Sequence, residues 1–495
     1  MIYEQEDYLV YGENEVNNYH LLKYSLLYDF FVSFSSIKIY GLPLAQCLAA
    51  QFLVHIQPFV DKNQVNQKLI KKFRMQKNFE TMGDINKTLL AFDNISQVSI
   101  QKNKKSMLLS DDYYAFAVDQ LKEYEVTLYG VLHNENHTNL PKQFKNYLFR
   151  EEILKVNNQL VKQEQALLKK QADEKVMNLP QHYYFSTSSF QQWFSKACIS
   201  IVKWVYILDK LILKTRPSVI IIPAEASLYG FILGLLSKKY QIPFVNMPIS
   251  AIGDRSIIPS RADYYFVWGQ NQKNWFIKRK IREDTITETG NVKFYYEKKK
   301  PASLKESLYG KFNIPSNHYI LGFTSQPFQS NDKIEEWIDA IPNNLPITIL
   351  IKKHRFDQYK YPSINKNKNV KILPRHYPLY DFLYNVNCLM TISSTTAFEA
   401  ALLDKPLLIL QPSIPYHYVI SNNQNNTYFA QAQAGEVIEN ETELIQAVTK
   451  VTTDPSYVSH LLKKGNKFLS ETIITVDQAP ILAKNKIEEI IMKQT

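Results

Sequence analysis

Short apolar runs alternate with amphipathic segments along most of this chain from residue 106 onward. The segment "PSVIIIPAEASLYGFILGLLSKKYQIPFVNMPIS" contains the whole unit: a strand apolar on both faces, a polar turn at Glu225, a helix and another short strand. Strands of this kind are typical of parallel sheets that are covered by helices on both faces. The pattern therefore predicts an α/β protein with doubly wound, Rossmann-like sheets.

The strand–helix units fall into two series. The first runs from "SMLLSDDYYAFAVDQL" to "DTITETGN", and the second from "YILGFTSQPF" to "LLILQPS", with helices following to the end. A polar, basic stretch near residue 300 is interpreted as the linker. These boundaries predict a mostly helical N-terminal extension (1–100), one Rossmann-like domain (101–300) and a second (301–495) whose last helix crosses back. Residues 145–180 have the pattern of one long charged helical segment.

Composition limits the class of protein and the kind of partner. Apolar residues make up 45% and charged residues 21%, which is ordinary for a globular protein, and the net charge is +11. That surplus suits anionic partners such as nucleotides, phosphorylated lipids or an anionic membrane surface. We predict no nucleic-acid partner, because charge alone supports one and no binding motif accompanies it.

The cysteines and the apolar stretches indicate the cellular compartment of the protein. Cys47, Cys198 and Cys388 are far apart and show no CxxC spacing, so we expect neither a disulfide framework nor a zinc knuckle. The acidic start lacks the apolar core of a signal peptide, and the stretches 41–59 and 197–213 are interrupted by polar residues. We therefore expect a cytoplasmic protein, with the inner face of the cytoplasmic membrane as a candidate peripheral surface.

Basic and hydroxyl side chains follow the strands of the second series. Ligands bind beyond the carboxyl ends of strands in open parallel sheets, and the helix predicted to begin near Thr396 offers unpaired N–H groups that suit phosphate. The competing explanation of the hydroxyl side chains is a capping box that includes Glu399, which would stabilise the helix by about 1 kcal/mol and have no other function. The candidate binding residues are Thr324, Ser325, Gln326, Lys353, His354, Arg355, Ser393, Ser394, Thr395, Thr396 and Glu399.

Three segments carry a resemblance to a known family: "PITILIKKHRFDQ", "ILPRHYPLYDFLYNVNCLMTISSTTAFEAALLDKPLLIL" and "ADYYFVWGQNQKNWFIKRKIREDTITETGN". Over roughly residues 215–490 the chain resembles GT-B glycosyltransferases of bacterial surface-polysaccharide assembly, and most of all capsule biosynthesis proteins of the sialic acid and Kdo transferase types. The resemblance implies two Rossmann-like domains that face each other across a cleft, the first for the acceptor and the second for the donor. It also implies transfer of a sugar from a nucleotide-sugar donor to a growing surface glycan or a lipid-linked acceptor.

The chain departs from that family at three places. The family's Lys-x-His-Pro element reads "KKHR" here, so His354 is kept while the proline is replaced by Arg355. Residues 246–253 read "NMPISAIG" where relatives often carry Gln-His-Gly. The residue eight positions before Glu399 is Thr391, so the paired glutamates of retaining enzymes are absent and an inverting mechanism is favoured. With no DxD at a plausible metal position, we expect neither a metal nor another cofactor.

An inverting transfer needs a general base for the acceptor hydroxyl. Glu225 comes directly after a buried strand of the first series, and Asp111 and Asp112 occupy the same place after "SMLL". We rank Glu225 first and Asp112 second, with helix capping as the alternative role of each. Partial burial would raise the pKa of such a carboxyl group toward neutrality. His133 and His137 have a spacing that metal ligands can show, but both lie in a predicted polar loop. We therefore do not predict a metal site there.

Three further functions remain open. A polyol-phosphate transferase of the teichoic-acid type also uses His-Pro and Ser-Ser elements, although Asp usually stands in the place of Glu399. A UDP-sugar 2-epimerase would carry a Ser-Gly-Gly turn and paired glutamates, which "SSTTAFEA" lacks. A non-catalytic polysaccharide-assembly protein is the third, because such a protein would not need the proline that is absent after His354.

Overall fold

A computed structural model describes residues 14–131, 140–299, 305–326, 331–364, 367–412 and 428–493. The chain divides into two units. The N-terminal unit comprises Asn14–Val267, Phe276–Lys293 and Asp477–Thr495, and the C-terminal unit contains Trp268–Trp275 and Phe294–Val476. The last helix therefore belongs to the N-terminal unit, as does the helical region that precedes the first sheet.

Seven strands form the sheet of the N-terminal unit. A short antiparallel hairpin, β1 (Lys38–Ile39) and β2 (Leu42–Pro43), precedes them. The sheet strands are β3 (Asn103–Ser110), β4 (Glu125–Gly130), β5 (Lys145–Leu148), β6 (Pro217–Ile222), β7 (Phe244–Asn246), β8 (Tyr264–Val267) and β9 (Ile286–Glu288). All neighbours are parallel, in the order β5-β4-β3-β6-β7-β8-β9. The winding direction reverses between β3 and β6, which makes their carboxyl ends the topological switch point of this sheet.

Six parallel strands form the sheet of the C-terminal unit. They are β10 (Tyr319–Thr324), β11 (Ile347–Lys352), β12 (Val370–Ile372), β13 (Cys388–Thr391), β14 (Leu407–Leu410) and β15 (Glu436–Ile438). Their order is β12-β11-β10-β13-β14-β15. Here the winding direction reverses between β10 and β13. The prediction of two doubly wound parallel sheets is confirmed.

Helices cover both sheets and, with the hairpin β1–β2, make up most of the chain from Asn18 to Leu90. They span Asn18–Phe34, Leu44–Cys47, Ala49–His55, Gln57–Asn63, Gln67–Lys77, Met82–Leu90, Tyr114–Gln120, Phe149–Lys155, Gln159–Met177, Ser188–Thr215, Leu228–Tyr240, Asp254–Ile257, Gln270–Lys278, Val292–Lys298, Lys305–Phe312, Asn331–Asp339, Leu379–Asn385, Thr396–Ala401, Tyr428–Gln431, Glu441–Thr453, Pro455–Thr472 and Ala479–Met492, with 3-10 turns at Asp111–Tyr113 and Glu283–Thr285. Within the described ranges, none of these helices is long and apolar enough to cross a bilayer.

Apolar burial explains why the strands form. Every residue of β6 is buried, and so is every residue of β13 and β14, because helices cover both faces of each sheet. The helical region shares a core with the N-terminal unit through aromatic rings. Phe30 stacks on Phe52 with ring centroids 4.2 Å apart, and Phe34 lies 4.4 Å from Phe194 of the helix Ser188–Thr215. All three cysteines are buried free thiols.

The prediction of one long helical segment over residues 145–180 is wrong at its start and at the break over residues 156–158. Its first four residues form β5, which pairs with β4 from Lys145 to Leu148. Two separate helices follow, and the second begins at Gln159 after its N-cap Asn158, whose side chain accepts a hydrogen bond from the backbone of Leu160. The hydrogen bonds of an edge strand thus override a charge pattern that resembles a helix, because strand formation depends on the neighbouring strand more than on local propensity.

Candidate functional site

Side chains at the ends of β10 and β13, and just beyond them, meet at the switch point of the C-terminal unit. The hydroxyl of Thr324 lies 3.0 Å from that of Thr391 and 2.8 Å from that of Thr396, and all three residues are buried. Beside them the Ser393 hydroxyl donates to Oε1 of Gln326 at 2.9 Å. These bonds fix two neighbouring strand ends at the place where open parallel sheets bind ligands.

The loop after β11 carries His354 and is held by a buried carboxylate. The Ser325 hydroxyl donates to Oδ2 of Asp357 at 2.6 Å and accepts the backbone N–H of His354 at 3.0 Å. Asp357 is 1% exposed, and it also accepts from the Asn331 amide at 3.1 Å and the Tyr361 hydroxyl at 3.1 Å. Its own N–H donates to the carbonyl of His354 at 2.9 Å. This network fixes the turn at Arg355 and Phe356.

The imidazole of His354 is neutral near pH 7. Burial lowers its pKa from the ordinary 6.5 and the neighbouring Arg355 lowers it further, although Asp357 opposes both effects. Its Nδ1 accepts the backbone N–H of Phe356 at 3.2 Å, so the ring proton is on Nε2. His354 can therefore donate one hydrogen bond from Nε2 to an anionic oxygen.

Several cations surround this loop, but most contact its own backbone. Lys352 donates to the carbonyl of Arg375 at 2.7 Å, and the Arg375 guanidinium donates to the carbonyl of Asp357 at 3.0 Å. Lys353 donates to the carbonyl of Tyr359 and lies over the Tyr361 ring. These cations make the edge electropositive, which favours a phosphate group.

A capping box does not explain the hydroxyl cluster. The helix Thr396–Ala401 has Thr395 as its N-cap, and Thr395 makes no side-chain capping bond. The Ser394 hydroxyl instead accepts the N–H of Thr396 at 3.3 Å. Glu399 stands four positions after the N-cap rather than three, is 2% exposed and accepts the Tyr380 hydroxyl at 3.3 Å. Glu399 thus lies in the interior of the unit, and its role as a donor ligand stays a prediction.

Asp111 lies at the switch point of the N-terminal unit. Its carboxylate packs against Gly130, the last residue of β4. A Cβ atom added at Gly130 would lie only 2.2 Å from Oδ2 of Asp111, so the carboxylate fits there because residue 130 has no side chain. Burial, and then the charge of Asp112, raise its pKa from 3.8 to about 6. Asp112 itself is exposed and accepts the Ser110 hydroxyl at 2.7 Å. Asp111 is thus the more buried of the two acids, and its role as a general base stays a prediction.

Glu225 lies in the interior of the same unit. It is 1% exposed and accepts hydrogen bonds from the Asn246 amide at 3.0 Å, the Ser260 hydroxyl at 2.7 Å, and the backbone N–H groups of Arg261 and Ala262. Burial raises the pKa of its carboxyl group. The donors come from the end of β7 and from the segment that leads into β8, so this carboxylate holds that segment in place.

We expect Glu225→Gln to act on stability. The amide keeps one acceptor oxygen, but its NH₂ group faces hydrogen-bond donors that the second carboxylate oxygen now accepts. Each buried donor left without an acceptor costs about 1–3 kcal/mol of stability. Chemical denaturation should show the loss, while the rate per folded molecule should change little. The outcome that contradicts this structural role is unchanged stability with abolished turnover, since that combination identifies Glu225 as the base.

No group of three or more His, Cys, Asp or Glu side chains in the described ranges is arranged to hold an ion. His133 and His137 lie outside the described residues.

Sequence reasoning missed two residues that position the site. Asp357 comes three residues after His354 in "KKHRFDQ", where an aspartate beyond a strand end is a turn-forming residue. Gly130 ends the strand in "VTLYG", and a strand-end glycine signals close approach of another group. Either signal could have identified its residue.

Comparison with known proteins bears on what this site binds. Residues 269–470 match the family model described as CDP-glycerol:poly(glycerophosphate) glycerophosphotransferase. No curated protein sequence matches the chain. The matched range covers most of the C-terminal unit and includes the whole His354 loop and the hydroxyl cluster. The match supports a transferase of surface glycopolymers, and it does not confirm the sialic acid or Kdo type.

Solved structures resemble the fold at low sequence identity. The S. aureus MnaA–UDP co-structure is 13% identical, with a TM-score of 0.50 over 78% of this chain and 97% of that chain. The wall teichoic acid polymerase TagF with CDPG is 10% identical, with a TM-score of 0.48 over 87% and 98%. UDP-GlcNAc 2-epimerase from Neisseria meningitidis bound to UDP-GlcNAc is 14% identical, with a TM-score of 0.49 over 78% and 99%. At such identities the likeness concerns the fold alone.

Proposed function

We propose that this protein transfers a polyol phosphate from a CDP-activated polyol to the end of a surface glycopolymer. One observation carries the proposal: the glycerophosphotransferase family match covers the unit whose switch point joins a neutral histidine, hydroxyls and an electropositive loop. Groups of these types stabilise phosphate oxygens. The net charge of +11 also suits an acceptor polymer that carries phosphates.

The reaction is a displacement at phosphorus. The acceptor hydroxyl oxygen forms a bond to the phosphorus that bears the polyol, the bond from that phosphorus to the bridging oxygen breaks, and CMP leaves with the bonding electrons. The product is a phosphodiester. His354 would donate from Nε2 to an oxygen of the departing phosphate, because its Nδ1 is already occupied by the N–H of Phe356. Metal independence stays a prediction.

The acceptor hydroxyl must lose its proton during this displacement, and we assign that proton to Asp111. Its pKa of about 6 leaves it ionised at neutral pH yet basic enough to accept a proton. Glu225 is surrounded by hydrogen-bond donors in the interior, and Asp112 is exposed to water. For these reasons we prefer Asp111 as the proposed base, although the sequence analysis ranked Glu225 first and Asp112 second.

Transfer of a sugar is the second candidate, because residue 399 is a glutamate. Polyol-phosphate transferases usually have Asp at that position, so the sequence alone disfavours polyol-phosphate transfer. Burial of Glu399 at 2% exposure weakens that objection, because a side chain in the interior says little about which donor binds. An inverting sugar transferase would use the same anion-binding edge.

A panel of nucleotide-activated donors tests the proposal. Purified protein should gain thermal stability with CDP-glycerol or CDP-ribitol, because binding to the native state alone stabilises it. CMP-sugars, UDP-sugars and GDP-sugars are the comparison set, and His354→Ala should abolish the gain. A shift with UDP-sugars or CMP-sugars and none with CDP-polyols would favour sugar transfer. No shift with any donor would contradict both candidates.

A further inference from the structure

Phe356 is an exposed aromatic residue on a fixed loop. It is 62% exposed although it stands between His354 and the buried Asp357. Its N–H donates to Nδ1 of His354 at 3.2 Å, and the next residue is held by Ser325 through Oδ2 of Asp357. The backbone on both sides of the ring is therefore fixed, so the ring is presented at a defined place.

The ring lies among the groups that would bind the donor. Its centroid is 5.6 Å from that of the His354 ring, and the Arg355 guanidinium carbon lies 4.7 Å from the Phe356 ring. Nucleobases stack on aromatic rings and on guanidinium planes. A phosphate held at His354 would leave the base of the same nucleotide within reach of this flat surface.

We propose that Phe356, with Arg355 beside it, is the surface on which the nucleobase of the donor stacks. The inference rests on the proposed function, since it assumes a nucleotide donor at His354. Stacking suits every base, because each has an aromatic face. Phe356 therefore contributes affinity for the nucleoside part, and the choice among bases comes from other contacts.

Calorimetric titration with CDP and with inorganic pyrophosphate separates the base from the phosphates. We expect Phe356→Ala to weaken CDP binding on the order of ten-fold to hundred-fold and to leave pyrophosphate binding unchanged. Phe356→Trp should retain CDP affinity, because the indole also stacks. Ile474→Ala removes an exposed apolar side chain elsewhere in the same unit and serves as the matched control.

Each outcome decides between the two proposals. If wild-type protein binds CDP and Phe356→Ala binds it equally well, the stacking surface is refuted while the donor site stands. Equal losses for CDP and pyrophosphate would also refute it, because they would indicate a disturbed loop. If wild-type protein binds no nucleotide, the proposed function fails and the stacking surface fails with it.

Discussion

Asp111→Asn should lower the transfer rate by about 10²- to 10⁴-fold, the usual contribution of a general base, while donor affinity stays the same. The amide keeps the size of the carboxylate and its place over Gly130 but cannot accept a proton. Steady-state kinetics together with calorimetric donor binding measure the two effects separately. Wild-type turnover in the variant would remove Asp111 from the mechanism.

The same residue predicts a pH profile. The carboxylate must be ionised to act, and its pKa is raised to about 6, so kcat/KM should fall below that pH and level off above about 7. Asp112→Asn is the matched control, because it removes the neighbouring charge that raises this pKa. We expect it to move the profile to lower pH and to keep most of the activity. A profile that does not change across this range would contradict the assignment.

Asp357→Asn should weaken both donor binding and the C-terminal unit. The amide cannot accept all the hydrogen bonds that now reach the carboxylate from Ser325, Asn331 and Tyr361, and each buried donor left unpaired costs about 1–3 kcal/mol. Because these bonds fix the His354 loop, we expect donor affinity to fall by roughly ten-fold or more.

Chemical denaturation and donor titration measure the two consequences of this substitution. Asp332→Asn replaces an exposed acid in the same unit and should change neither quantity. Lower stability with wild-type donor affinity would show that the loop does not depend on Asp357, and it would remove that residue from the account of how His354 is positioned.

The sheets could be predicted because their signal is repeated and strong. Apolar runs such as those of β6 and β13 need burial on both faces, and only a sheet covered by helices provides it. β5 was missed because Lys145–Leu148 is short, charged and half exposed. Such an edge strand forms because β4 lies beside it, and a local pattern carries no information about a neighbour that is distant in sequence.

The candidate site was predictable in position but not in detail. The rule for strand ends identifies Thr324, Ser325 and Ser393 without any structure, and these residues do lie at the switch point. The sequence analysis ranked Glu225 above the two aspartates by position alone. Glu225 and Asp111 both follow buried strands, and the donors that surround Glu225 are visible only in the structure. The sequence shows that Arg355 replaces a proline after His354, and only the structure shows the network around Asp357 that fixes the backbone of this loop.

Phosphorus NMR of the complete reaction tests the proposed transfer most directly. With CDP-glycerol and a short acceptor that ends in a polyol hydroxyl, we predict that the donor's pyrophosphate signals disappear. CMP and a new phosphodiester should appear in equal amounts. Transfer of a sugar from a UDP-sugar or CMP-sugar would release a nucleotide without any new phosphodiester. An intact CDP-glycerol spectrum beside turnover of such a sugar donor would contradict polyol-phosphate transfer.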